Sequence, residues 1–245
     1  MPTFSQMISE VRSNLQGYTL RNDRITNLAN PGGINATQLD IKIGTSDNLA
    51  KGIVEIDGEL IWINSFNTTT NVLTAAPGFG RGYQGTTPAP HAENAQVIMT
   101  PTFPVSMISQ AINDTINALY PKLFAVGVTT FQFNAAQITY NLPDDARDVM
   151  YASWQTPGPS KEWLPVNRWR IDRMANVATF DTTKTINIYE KIVPGRTVQV
   201  YYSTIPNTLT NSTDDFAAVT GLPESSRDVV TLGAAYRLLS YIDTG

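Results

Sequence analysis

The stretch GIVEIDGELIWI, residues 52–63, is the clearest local element of the chain. Asp57 and Gly58 form a two-residue turn signal, and β-forming apolar residues flank it on both sides. Pairing across this turn places Val54 opposite Ile61. Both faces of the resulting hairpin are apolar, so both must be covered by other parts of the protein. The hairpin therefore predicts a barrel or a sandwich, or a sheet with one face in a protein interface.

Further strand patterns lie on both sides of this hairpin. They are LDIKIG (39–44), NVLTAA (71–76) and AQVIMT (95–100), which together with the hairpin predict a small β-domain over residues 18–103.

A second set of strand patterns follows in residues 122–210. VTTFQFN (128–134) and QITYNL (137–142) are predicted to pair with each other, and TINIYEKI (185–192) and TVQVYYSTI (197–205) flank a Pro-Gly turn signal. This segment predicts a second antiparallel β-domain, built as a sandwich.

Helical periodicity is confined to three segments. They are an N-terminal helix or arm (1–17), a connecting helix (104–121) and a C-terminal helix (211–245). The predicted fold class is mainly β with a few helices (α+β), consisting of two small antiparallel β-domains joined and flanked by short helices.

Composition excludes several classes of protein. The chain has 245 residues, no cysteine, 16% charged residues and a net charge of −4. Thiol catalysis, thiolate metal sites and disulfides are ruled out, and no global attraction to nucleic acid is expected. No apolar run is long enough to cross a bilayer, and the N-terminus lacks the pattern of a signal peptide. We expect a soluble protein that contacts copies of itself or other proteins.

The glycines of GRGYQG, residues 80–85, have the GxGxxG spacing of a phosphate-binding loop. Such a loop needs a helix directly after it. Pro88 and Pro90 follow instead, and proline is strongly unfavourable inside a helix. The segment is predicted to be a loop between strands, with glycines where the backbone needs positive φ. No cofactor is expected.

Few residues in the chain suit catalysis or metal binding. His91 is the one histidine, and it is predicted to be a loop residue that bonds to backbone. The neighbouring carboxylates Asp144-Asp145 and Asp214-Asp215 suit helix and turn capping, with Ca²⁺ binding or acid-base catalysis as the alternative. No catalytic and no metal residue is assigned.

The segment KEWLPVNRWRIDR, residues 161–173, interleaves basic and aromatic side chains. This pattern is typical of a core strand with arginines outside and tryptophans inside. It is also typical of a protein interface or of a platform for single-stranded nucleic acid. All three alternatives stay open at this point.

The C-terminal helix combines small and apolar residues. Gly233, Ala234 and Ala235 remove bulk from one turn, so another helix of the same chain or of a neighbour can approach closely. Apolar residues follow on more than one face, which predicts contact with a neighbouring subunit or ring.

Two parts of the sequence resemble virion proteins of tailed bacteriophages. RGYQGTTPAPHAENAQV (81–97) is similar to a segment that closes small β-domains in phage tail and neck proteins. The second resemblance is the order of four segments, which is similar to that of head-tail connector or adaptor (neck) proteins. These segments are LPDDARDV (142–149), the Trp-rich segment (161–173), PGRTVQVYYSTIP (194–206) and the final GAA-x-RLL helix.

This resemblance implies a non-enzymatic virion protein of the neck or tail region. Its expected form is a homo-oligomeric ring between the portal and the tail or tail-terminator proteins, through which DNA passes without sequence-specific binding. The alternative is a structural or receptor-binding protein of the baseplate or tail fibre. The residues assigned to protein contacts are Phe4, Met7, Trp163, Trp169, Arg170, Gly233, Ala234, Tyr236 and Leu239.

Overall fold

A computed structural model describes residues 2–18, 23–45, 50–159, 161–176 and 178–243. The chain divides into two compact units. The barrel unit consists of Phe4–Thr115 and Asp228–Gly245, and the sandwich unit consists of Met1–Thr3 and Ile116–Arg227. Among the described residues, no helix is long and apolar enough to span a membrane.

The barrel unit contains one antiparallel sheet of six strands. They are β1 (Arg24–Asn27), β2 (Asp40–Lys42), β3 (Gly52–Ile56), β4 (Glu59–Asn67), β5 (Val72–Ala75) and β6 (Gln96–Met99), in the order β1-β6-β3-β4-β5-β2. A bridge between Leu28 and Ile43 joins the two ends of this order. The sheet therefore closes on itself as a barrel.

The hairpin that dominates the sequence is the β3–β4 pair. Val54 lies opposite Ile61, as predicted, and Asp57 and Gly58 both have positive φ, as a tight hairpin turn requires. One face points into the barrel, where Val54 and Ile61 are fully buried. The other face is also covered, since Leu60 is 1% exposed. The sequence-based expectation of two covered faces is confirmed.

Three helices belong wholly or partly to the barrel unit: α1 (Phe4–Tyr18), α2 (Val105–Leu119) and α4 (Arg227–Asp243). The carboxylate of Glu55, on the outer face of β3, accepts a bond from Arg12 of α1 and another from the backbone N–H of Val105 at the start of α2. The side chain of Glu55 is nearly inaccessible to solvent. One buried carboxylate thus ties two helices to the barrel wall.

The sandwich unit contains two antiparallel sheets. Its strands are β7 (Ala125–Gln132), β8 (Thr139–Asn141), β9 (Asp148–Gln155), β10 (Trp163–Pro165), β11 (Trp169–Asp172), β12 (Thr185–Ile188) and β13 (Thr197–Thr204). The first sheet has the order β10-β9-β13-β7 and the second has the order β11-β12-β8. A short helix, α3 (Phe216–Thr220), follows the last strand. The two inner faces share one apolar core, so the fold class is confirmed as mainly β with a few helices.

One predicted pairing is wrong. VTTFQFN includes the second half of β7 and QITYNL contains β8, but β7 pairs with β13 and β8 pairs with β12. The rings of Phe131 and Tyr140 stack 4.3 Å apart across the core, so these strands meet face to face in different sheets. Alternating apolar residues define the buried face of a strand but not its neighbour, which is why the sequence pattern did not distinguish the two arrangements.

Candidate interaction surfaces

The glycine loop connects β5 and β6 at one end of the barrel. Gly82 and Gly85 have φ of +63° and +82°, and a Cβ added at Gly80 would lie 2.4 Å from the backbone N of Ala76. Only a single 3-10 turn, Tyr83–Gly85, follows the first glycines. The helix that a phosphate loop requires is therefore not there, and the glycines meet the needs of backbone geometry.

Glu59 fixes this loop from inside the barrel. Its carboxylate accepts two bonds from the Arg81 guanidinium, at 2.8 and 2.9 Å, and further bonds from the backbone N–H groups of Gly82 and Ala89. Arg81 also donates to the carbonyl oxygens of Asn35, Gln38 and Ala89. The ion pair between Arg81 and Glu59 is buried on both sides. Loop and barrel wall are thus held by charge-assisted hydrogen bonds.

His91 completes the polar network. Its Nε2 lies 2.8 Å from Glu59 Oε2, and its Nδ1 lies 3.0 Å from Asp57 Oδ2. Burial alone would lower the pKa of His91, but the hydrogen bonds and charges of the two carboxylates raise it above 6.5. Burial alone would raise the pKa of Glu59, but the bonds from Arg81, His91 and the loop amides lower it to about 2. The carboxylate of Glu59 is therefore ionised at neutral pH.

The expected backbone partner for the His91 side chain is wrong, because the ring bonds to two carboxylates. The register of the β3–β4 hairpin could have predicted that His91 bonds to a carboxylate. Glu59 lies opposite Ile56 and shares the inner face with Val54 and Ile61. A carboxylate on that face must be paired inside the protein, and the one histidine and Arg81 of the loop are the partners that the fold supplies.

An exposed apolar stripe runs along α4. Val229, Leu232 and Tyr236 are all exposed, Tyr236 to 76%. Their spacing of three and four residues places them on one helix face. The opposite face is buried and includes Ala234. At Gly233, an added Cβ would lie 2.7 Å from Thr115 Cγ2 of α2, so the close approach predicted for this turn occurs within the barrel unit.

A second exposed apolar surface lies on the four-stranded sheet of the sandwich unit. Val126 and Val128 of β7 are 51% and 47% exposed. Val128 lies opposite Tyr201 of β13, and Tyr201 lies opposite Tyr151 of β9. The two tyrosine rings are 6.1 Å apart. We call this surface, defined by Val126, Val128, Tyr151 and Tyr201, the outer sheet face.

The Trp-rich segment supplies two short edge strands of the sandwich. In β11, Trp169 packs against the core while Arg170 is exposed, which is the predicted arrangement of a core strand. Trp163 of β10 departs from it, since it is 42% exposed. It lies opposite Gln155 of β9, at the edge of the four-stranded sheet.

The remaining predicted contact residues lie inside the barrel unit or at its surface. Phe4 and Met7 are buried in the barrel unit, and Leu239 of α4 is half-buried. Among the Asp pairs, Asp215 caps α3 by accepting the N–H of Ala218, and Asp214 accepts the N–H groups of the preceding turn. Within the described ranges, no three His, Asp or Glu side chains form a group that could hold a metal ion.

Comparison with known proteins gives one match. The family model described as SU10 adaptor protein matches residues 91–244, more than half of the chain. No curated protein and no solved structure matches. The matched range begins at His91 and includes α2, all strands of the sandwich and all of α4. Both exposed apolar surfaces therefore lie inside it.

Proposed function

The chain belongs to the SU10 adaptor protein family, which makes it a phage structural adaptor of the head-tail type and a virion component, and from this premise we propose that it forms a homo-oligomeric ring between portal and tail. The family match is the observation that carries the proposal. The ring sits in the neck of the particle, after assembly in the host cytoplasm. Its neighbours are the portal on one side and the tail or tail-terminator proteins on the other.

The ring leaves a central channel for DNA. With a net charge of −4, the chain has no overall attraction to the phosphate backbone. A channel that lets DNA pass must not bind it tightly or in a sequence-specific way. The role is therefore geometric, and it requires no catalytic residue.

A subunit in such a ring needs separate contacts for copies of itself and for the layers above and below. The chain offers an apolar stripe on α4 and the outer sheet face, each carried by a different unit. Val229, Leu232 and Tyr236 have the spacing by which a helix fits into a groove of a partner, and we assign this stripe to the contact with the adjoining ring. Each contact can be weak on its own, because many copies in the ring bind at the same time and their combined binding is strong.

The proposal is tested with phage that lack this protein. We expect heads filled with DNA and separate tails, with particles restored when the wild-type chain is supplied in trans. Complementation by Leu232→Glu/Tyr236→Glu should fail, whereas Met174→Glu, at an exposed apolar residue of the sandwich unit, should restore particles. Joined head-tail particles that lack only fibres or baseplate would favour the baseplate alternative and overturn the proposal.

A further inference from the structure

Strand β7 forms one edge of the four-stranded sheet, and β13 is the only strand beside it among the described residues. In an antiparallel strand, alternate residues direct their N–H and C=O groups to opposite sides. About half of the backbone groups along these eight residues therefore point away from β13. Such an edge is a template for another strand.

The sequence of β7 does nothing to protect this edge. AVGVTTFQ contains no charged residue and no proline, although these are the residues with which soluble proteins block unwanted strand pairing. Val126 and Val128 are about half exposed on its outer side. An edge that is long, apolar and unprotected indicates that another strand covers it in the assembled protein.

The other edge of the same sheet is the three-residue strand β10, which is also uncharged but contains one proline, Pro165. Its Trp163 lies opposite Gln155. Gln155 is four residues from Tyr151 on β9 and hence on the same side of the sheet. Trp163 therefore belongs to the side that carries Val128 and Tyr151. Both edges present exposed apolar side chains on one face.

Strand direction makes the two edges complementary. All neighbours in the order β10-β9-β13-β7 are antiparallel. With four strands, the two edge strands run in opposite directions. Neighbouring copies in a ring of many subunits are related by a small rotation, which preserves strand direction. Each copy contacts its two neighbours through two different patches of its surface. The β10 edge of one copy would then meet the β7 edge of the next copy as an antiparallel neighbour.

We propose that the four-stranded sheet continues from one subunit to the next. The β10 edge of one copy pairs with the β7 edge of its neighbour, and Trp163 packs on Val126 and Val128. The occupant of the β7 edge is thus a second copy of this chain. This inference rests on the proposed ring, and it adds the residues and the strand pairing by which the ring closes.

Disulfide cross-linking tests the contact, because the chain contains no cysteine. Virions are prepared with Trp163→Cys combined in turn with Val126→Cys, Val128→Cys or Thr130→Cys, which covers the possible registers on one face. After oxidation, non-reducing electrophoresis should show a ladder with steps of the chain mass, 26.9 kDa. The control pair Val128→Cys/Met174→Cys should stay monomeric, because Met174 is 92% exposed and follows β11, a strand of the other sheet.

A single substitution gives an independent readout. Val128→Lys adds a protective charge to an exposed position, so we expect an unchanged melting temperature, loss of ring formation and at least a tenfold drop in incorporation into particles. Met174→Lys should be incorporated normally.

Three results would overturn the inference. Normal incorporation of Val128→Lys would show that the edge is not used. Dimers of Val128→Cys alone would show that two β7 edges pair with each other. Absence of a ladder from all three pairs, in particles with a complete ring, would show a different subunit contact and leave the proposed function intact. If the chain is missing from the neck, the proposed function itself fails.

Discussion

His91 and Glu59 lie 2.8 Å apart, Nε2 to Oε2, and both side chains are almost wholly inaccessible to solvent. Glu59 stands at the start of β4, and His91 lies at the far end of the glycine loop. Together with Arg81, they close that loop onto the barrel. The loop therefore owes its shape to a buried ionic network as well as to its glycines.

Glu59→Gln should destabilise the barrel unit strongly. The substitution leaves Arg81 and His91 buried without their counter-charge, and breaking a buried ion pair in this way costs about 3–5 kcal/mol. Urea unfolding of the purified chain measures the loss. Asp57→Asn is the matched control, since the Asp57 side chain is 56% exposed, and surface ion pairs contribute only about 0–1 kcal/mol. Similar losses for the two variants would contradict the account.

The same network predicts how stability depends on pH. The lowered pKa of Glu59, about 2 against an ordinary 4.5, gives stability that is present above pH 4.5 and lost as the pH falls towards 2. The raised pKa of His91 gives stability that is complete below pH 6.5 and lost as the pH rises through the folded-state value.

The free energy of unfolding should therefore be greatest between about pH 4.5 and 6.5 and should decline above that range. Unfolding of the wild type and of His91→Gln at pH 5.5 and pH 9 is the measurement. The wild type should lose stability over this interval, and the variant should lose clearly less. Equal losses would show that His91 does not carry the effect.

Gly82→Ala should cost more stability than Gly85→Ala. Both glycines have positive φ, so each alanine is strained by roughly 1–2 kcal/mol. Only the Cβ at position 82 also meets neighbours, 2.7 Å from both the Thr86 carbonyl oxygen and the Pro88 ring. That crowding adds about 1–3 kcal/mol. Thermal unfolding of the two variants side by side tests this, and an equal loss would mean that the loop gives way freely.

Gly233→Leu and Tyr236→Glu should separate internal packing from assembly. A side chain at Gly233 collides with Thr115 of α2 inside the barrel unit, so this variant should melt at a lower temperature. Tyr236 points to solvent and is 76% exposed, so Tyr236→Glu should melt like the wild type but fail to enter particles. If Tyr236→Glu enters particles at the normal level, the α4 stripe is not a docking surface.

Local pattern predicted most of the fold. The hairpin of residues 52–63 was predicted down to its register, because alternation and an Asp-Gly turn together fix both face and pairing. The helix of residues 105–119 was likewise evident from its periodicity. Strand partners in the sandwich could not be predicted in this way, because strands that are neighbours in a sheet are distant in sequence. Phe131 and Tyr140 are close in the chain, yet they belong to opposite sheets.

The sites were predicted less well, for a similar reason. The roles of Glu59 and His91 arise from residues 32 positions apart that only the closed barrel brings together. For Trp163 the sequence left a core strand, a protein interface and a nucleic-acid platform open, and the residue lies 42% exposed at a sheet edge, where burial depends on what covers that edge. Which surface residues meet another chain is decided by the partner, and the sequence of one subunit carries that information only indirectly.

Electron cryo-microscopy of the intact particle would locate this chain within the neck. Density for the chain should form a closed ring between portal and tail, with an open axial channel and the α4 stripe against the adjoining ring. Density for the chain at the baseplate or fibres, or as isolated copies that do not surround the channel, would contradict the proposed ring.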